Sequence, residues 1–147
     1  MNKSQLRDRI RKLLVSQKLA VLATQKDEQP YSCLVAIAGT VDLKDLLFST
    51  SRSTRKYNEL KANPRVSILI DNRSNMESDF DSAVAVTAIG RATEARGVDR
   101  DNLAKIYLKK HPNLVNFVDS PDNALIRIVI KKYVISSFKD VWELYPD

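Results

Sequence analysis

Two apolar runs are too long to be ordinary strands, and they limit what this chain can fold into more than any other feature. Residues 83–96 (AVAVTAIGRATEAR) and 124–138 (ALIRIVIKKYVISSF) keep a strand-like character far beyond the usual length, which is about five or six residues. A flat strand of that length cannot keep one face on a compact core, so each run is expected to bend. Gly90, in the middle of the first run, marks a bend or bulge. In the second run the apolar parity follows 126, 128 and 130 and then moves to 133 and 135, which places a bulge near Lys131–Lys132. Strands that curl in this way belong to a barrel rather than an open sheet.

The rest of the chain supplies the other staves. Residues 3–17 put Leu6, Ile10, Leu13 and Leu14 on one helical face, with Asn2 or Ser4 as the cap. Residues 19–25 (LAVLATQ) and 30–38 (PYSCLVAIA) flank the polar turn KDEQ as a hairpin, and 46–50 (LLFST) is a third strand. A helix over about 54–62 follows, with Tyr57 and Leu60 on its buried side. Ser53 or Thr54 caps it and Pro64 stops it. A fourth strand spans 65–71, a polar loop 72–82, and a helix 98–111 capped by Asp99 and ended by Pro112. This order lacks the alternation of a doubly wound fold. The expected architecture is α+β: a six-stranded antiparallel split β-barrel with flanking helices, built as one domain over residues 1–147.

Composition narrows the function by exclusion. The net charge is +6, but residues 3–12 alone carry five cations against Asp8, and no aromatic platform accompanies the basic excess. Nucleic acid is therefore not the expected partner. No run reaches the roughly 18 apolar residues of a membrane span, and the N-terminal stretch lacks the apolar block of a signal peptide. Cys33 is alone, which fits a reducing compartment, so a cytoplasmic protein is expected. Cys33 reads as a small core residue. His111, the one histidine, reads as a helix-end residue rather than a haem ligand or base. The carboxylates at 71, 77, 79 and 81 do not follow a calcium loop, and no Cys/His metal cluster or Ser-His-Asp set is expected. Trp142 and Tyr145 are expected to pack against a partner subunit.

The stretch FSTSRSTRKYNELKANPRV (48–66) holds the most chemistry. It crowds hydroxyls and the cations Arg52, Arg55 and Lys56 at a strand end and a helix start. The first-turn amides of a helix have no intrahelical acceptor and carry partial positive charge. Cations there oppose the helix dipole unless an anion joins them, so the stretch points to a bound phosphate or carboxylate.

The run Phe48-x-Thr50-x-x-x-Thr54-Arg55-Lys56, followed by Leu60 and Asn63-Pro64-x-Val66, resembles the pyridoxamine 5′-phosphate oxidase-like flavin-binding family of split β-barrels. The hairpin QPYSCLVAIA, the strand NPRVSILI and the later AIGRA fall in the family's order. The resemblance is good over about residues 5–96 and looser beyond. It implies a homodimer with FMN at the interface and a small-molecule redox partner. It also implies that Ser49, Thr50, Thr54, Arg55 and Lys56 hold the phosphate and ribityl chain, while Cys33, Leu34, Val35 and Ala36 lie along the ring. Asn72 and Arg73 are second-rank candidates to border the flavin.

The chain departs from the enzymes of that family at the substrate site. Cys33 and Ala38 stand where the oxidases carry basic residues, His111 and Val115 stand where an Arg and a Ser follow Tyr107, and the tail SSFKDVWELYPD has no Arg-x-His element. The expected function is an FMN-dependent oxidoreductase with a substrate other than pyridoxamine phosphate and no assigned catalytic residue. A non-catalytic binder of flavin, haem or the deazaflavin F420 is the alternative.

Overall fold

The computed structural model describes residues Met1–Asp147. Helix α1 (Lys3–Ser16) starts at a reciprocal cap: Asn2 Oδ1 accepts from the Gln5 amide and Gln5 Oε1 from the Asn2 amide, both at 2.9 Å. Its apolar face, Leu6, Ile10, Leu13 and Leu14, is buried as the spacing requires. Strands β1 (Leu19–Lys26) and β2 (Gln29–Ala36) form the first hairpin. Asp27 and Glu28 at its tip both take positive φ, 52° and 66°, the conformation a two-residue hairpin turn demands even without glycine. Next come β3 (Ala38–Gly39), β4 (Asp45–Ser51), α2 (Arg55–Ala62) and β5 (Arg65–Asp71). They are followed by α3 (Asp79–Ser82), β6 (Ala85–Glu94), α4 (Gly97–Lys110), a 3-10 turn at Pro112–Leu114, α5 (Val115–Asp119), β7 (Asn123–Ser136) and β8 (Val141–Leu144).

All eight strands join one antiparallel sheet in the order β2-β1-β5-β6-β7-β4-β3, with β8 added beside β7. The sheet curls so that its two ends approach. Leu22, Phe48, Ile68, Ile70, Val86, Ile126, Ile128 and Tyr133 fill the interior, and α1 and α2 cover its openings. A smaller apolar cluster, Leu47, Leu125, Ala104, Tyr107 and Val118, forms where α4 and α5 lie against the outside of the barrel. Removing a buried Ile or Leu from either cluster costs about 2–5 kcal/mol.

The two long runs are the barrel's longest strands, β6 and β7, and they pair with each other. Their register moves from Ile89↔Lys132 to Gly90↔Ile130, so Lys131 has no opposite number. The glycine and the parity shift are thus two halves of one bulge. A Cβ on Gly90 would stand 2.3 Å from the Val129 carbonyl oxygen, so only glycine allows this approach.

Three expectations change. The run 30–38 is two strands, because the chain changes partner at Ile37: β2 pairs with β1, whereas Ala38 and Gly39 pair with Leu47 and Leu46 of β4. The tail adds β8, with Trp142 opposite Ile135 and partly buried against this chain's own core. Together these raise the strand count from six to eight. Helix α4 starts at Gly97 with no side-chain cap, so Asp99 sits within the first turn and is not the capping residue. The polar loop at 72–82 also contains the short α3, whose Asp79 carboxylate accepts from the amides of Ser74 and Asn75.

Candidate functional site

The partner switch at Ile37 creates the site. On one side of it β3 closes the barrel onto β4; on the other, β2 stays with β1, and beyond Leu47 the edge of β4 turned away from β7 has no strand partner. The sheet's two ends are therefore stitched at one end and open at the other. A hollow of about 340 Å³ lies in the opening, between Leu34–Ala36 of β2 and Ser49–Ser51 of β4. Thr54 and Lys56, at the start of α2, close its end, and Tyr107, Leu114 and Phe117 wall it.

Side chains from α4 bridge the ends that backbone pairing leaves apart. The Tyr107 hydroxyl donates to the Ala36 carbonyl at 2.8 Å, so a side chain from α4 reaches the edge of β2 at the seam. Burial pushes this phenol up to about 12, with the Ser49 amide working against the shift. One turn on, His111 Nε2 lies 2.8 Å from the Ile37 carbonyl; a carbonyl only accepts, so Nε2 carries the proton. Burial lowers the pKa of His111; the Ile37 bond opposes that, and nearby Lys110 and Lys18 reinforce it. Lys110 joins them, donating to the carbonyls of Leu14 and Gln17 at the end of α1.

The hydroxyls near α2 are ordered by the helix cap. Thr54 Oγ1 donates to the Ser51 carbonyl at 2.8 Å and accepts from the Tyr57 amide at 3.3 Å. Its remaining lone pair takes the Thr50 hydroxyl at 3.0 Å. Thr50 is buried. The amides of Arg55 and Lys56 remain as the helix's open donors.

Seven of the nine residues singled out from the sequence line this hollow: Leu34, Val35, Ala36, Ser49, Thr50, Thr54 and Lys56. Cys33 and Arg55 do not. Cys33 packs towards the core while Leu34 stands out on the other face of β2. Burial raises its thiol pKa, with Lys56 lowering it and Glu59 raising it. Arg55 turns to the hairpin side of α2. Its guanidinium lies 4.0 Å from the Tyr31 ring centroid, and its Nε is 3.1 Å from the buried Glu59. The Thr24 hydroxyl, 2.6 Å from the other Glu59 oxygen, is the main influence holding that carboxyl below its ordinary range.

Arg52 is also spoken for. It donates to Glu94 and to the Pro121 carbonyl, each at 2.7 Å. Burial disfavours ionised Glu94, but Arg52, the Tyr57 hydroxyl and Arg96 outweigh it and leave the pKa lowered. Asn72 and Arg73 stand away from the hollow: Asn72 Oδ1 accepts from the Val84 amide at 2.7 Å, and Arg73 pairs with Asp71 at 2.6 Å.

Leu114 and Phe117 were missed because the segment carrying them has no clear period. The Tyr107-x-x-x-His111 spacing, which sets two polar rings on one helix face, was the available signal for the stitch. No group of three or more His, Cys, Asp or Glu side chains could hold a metal ion. No helix is long and apolar enough to cross a membrane.

Comparison with known proteins agrees with this fold. A fission-yeast (Schizosaccharomyces pombe) protein described as a pyridoxamine 5′-phosphate oxidase homolog is 29% identical over 97 residues. The match covers 59% of this chain and about half (51%) of that relative's length. A haem-binding protein from Mycobacterium smegmatis has a similar fold, with a TM-score of 0.83 at 18% identity over 95% of this chain and 57% of its own. A FAD-binding protein from Mesorhizobium loti gives 0.68 at 23% identity over 86% of this chain and 89% of its own. The sequence profile described as pyridoxamine 5′-phosphate oxidase matches residues 6–135, and the chain belongs to that family.

Proposed function

We propose that the hollow in the split of the barrel binds FMN and that the protein is a flavin-dependent oxidoreductase. The observation that carries this reading is the convergence of three separate stretches, Leu34–Ala36, Ser49–Ser51 and Thr54 with Lys56, on one hollow whose lining is polar in part and apolar in part. The polar part offers the Lys56 ammonium, the Ser49 and Ser51 hydroxyls and the open amides of α2, which suits a phosphate. The apolar part offers the edge of β2 at Leu34–Ala36 with Leu114 and Phe117, which suits a flat apolar ring. When bound, the flavin supplies the hydride and electron chemistry. The chain's own part is to fix the phosphate, hold the ring against a strand edge and keep the seam at one width through Tyr107.

The same fold carries haem in other proteins, but flavin is the better fit here. His111 is turned to the Ile37 carbonyl and Cys33 packs towards the core, so neither offers an axial ligand to the hollow. Pyridoxamine phosphate is disfavoured as substrate because Tyr107 has its hydroxyl committed to the seam. Exposed Leu34 and Phe117 line the hollow, and we place the second copy of a homodimer over them. Residues 1–147 act as one FMN-binding unit in this reading.

Fluorescence titration with FMN and riboflavin tests the site. Tight FMN binding with much weaker riboflavin binding is expected. Lys56→Ala should weaken FMN by about 10- to 100-fold, the worth of a charge-assisted bond. Arg55→Ala should cost less, because Glu59 and Tyr31 already hold that side chain. Equal affinity for FMN and riboflavin would remove the phosphate assignment. Reduction of the bound flavin by NAD(P)H, followed by reoxidation, then separates an enzyme from a carrier.

A further inference from the structure

The outer face of the sheet carries a second hollow, of about 750 Å³, which shares no residue with the one in the split. It lies across β1, β5, β6 and β7, over the bulge. Three cations surround it, Arg65, Arg91 and Lys131, and no carboxylate lines it. Arg65 and Arg91 are direct cross-strand neighbours, the arrangement in which like charges destabilise a sheet. Lys131 is the bulge residue, so the irregularity of β7 sets an extra cation beside them.

Two other cations of the sheet, both on β7, are neutralised where they stand: Arg127 pairs with Asp45 at 3.0 Å and Lys132 with Glu143 at 3.2 Å. Arg65, Arg91 and Lys131 make no ion pair, and their side chains donate no hydrogen bond within the chain. Between them the floor is mixed: Ser67 stands between Ala23 and Ile89, Gln25 lies towards one side, and half-exposed Val129 adds apolar surface next to Arg91. Two arginine forks and an ammonium match a dianion, while Ile89 and Val129 offer apolar surface to a flat body beside it and Ser67 and Gln25 offer that body hydrogen bonds.

We propose that this hollow binds a small phosphate monoester whose body is aromatic or similarly flat, independently of the flavin site. Arg65 and Arg91 grip the phosphate, Lys131 adds the third charge, and the body lies on Ile89 and Val129. An anion there relieves the repulsion between the paired arginines.

Phenyl phosphate and inorganic phosphate are the probes, measured by calorimetry on protein already saturated with FMN, with Lys56→Ala as a parallel sample. Phenyl phosphate is expected to bind the FMN-saturated protein and the Lys56→Ala protein alike, and about tenfold tighter than inorganic phosphate. The double variant Arg65→Gln/Arg91→Gln should lose tenfold or more of that affinity, roughly the worth of one charge-assisted bond, while FMN binding stays unchanged. Its ligand-free melting temperature should rise or stay level, since a repulsion is removed; phenyl phosphate should raise the melting temperature of the parent protein only. If the double variant fails to fold, Lys131→Gln replaces it with a smaller loss expected. Competition between FMN and phenyl phosphate would overturn the proposal, as would equal affinity for the two probes or undiminished binding in the variants. Dissociation of a dimer in the double variant without any change in phenyl phosphate binding would assign the face to a second copy and overturn it as well.

Discussion

The barrel departs from regular pairing in two places, and it handles them in opposite ways. Between β6 and β7 one extra residue is absorbed, and the ladder continues on both sides of Lys131. Between β2 and β4 the ladder stops, and side chains from α4 span the gap. The first solution is local and steric: a glycine lets one backbone approach another. The second is distant and polar: a tyrosine and a histidine separated from the seam by some seventy residues (|i−j| of 71 and 74) satisfy its carbonyls. A gap held by side chains leaves strand-edge groups free to meet a ligand, whereas a bulge held by backbone pairing leaves none. That difference explains why the proposed flavin site lies at the seam.

The comparison breaks most readily at the bulge. Gly90→Ala sets a methyl against the Val129 carbonyl oxygen, and β6 and β7 must move apart or slip. A loss towards the upper end of about 1–3 kcal/mol, the usual range for overpacking a core, is expected from urea unfolding. A loss below about 0.5 kcal/mol, the level of an ordinary surface change, would show that the two strands are not held at this spacing. The bulge would then be a tolerance rather than a requirement.

Tyr107→Phe asks the matching question of the seam. The variant keeps the ring in its apolar cluster and removes only the hydroxyl that donates to the Ala36 carbonyl. Leaving buried polar groups without a partner costs about 1–3 kcal/mol. If the stitch sets the width of the hollow, FMN affinity falls along with stability. A stability loss with unchanged FMN affinity would mean that the hollow keeps its shape without the bridge.

These two places also separate what was legible in the sequence from what was not. Parity shift and glycine announced the bulge because both are properties of a few consecutive residues. The cap of α2 was legible for the same reason: Thr54 precedes the helix and Pro64 follows its end. The partner switch at Ile37 was not, because an apolar run looks the same whichever strand it pairs with; only the sheet's closure decides. Arg55 shows the limit within the site itself. Its spacing put it beside Lys56 at the helix start, but a buried carboxylate one turn later and a ring across the hairpin draw it to the other side. Trp142 meets this chain's own core because β8 extends the sheet, a pairing that depends on the turn at residues 137–140 rather than on the apolar pattern.

The smallest effect concerns the second stitch, and its sign follows from burial. The pKa of His111 lies below its ordinary value of 6.5, since desolvation and the cations Lys110 and Lys18 outweigh the bond to Ile37. The unfolded chain therefore binds the proton more readily than the folded one. Stability is unaffected well above pH 6.5 and declines as pH falls through that value, by at most about 1.4 kcal/mol per pH unit. The decline continues until the folded imidazole itself protonates. Carboxylates with lowered pKa, such as Glu59 and Glu94, add their own loss only at lower pH, so the window between about 5 and 7 isolates the histidine. His111→Gln offers an amide donor to the same carbonyl without a titrating proton. Its urea midpoint should be nearly flat across that window, while the parent protein's falls on acidification. Parallel slopes in the two proteins would mean that His111 is solvated in solution, and the seam would then rest on Tyr107 alone.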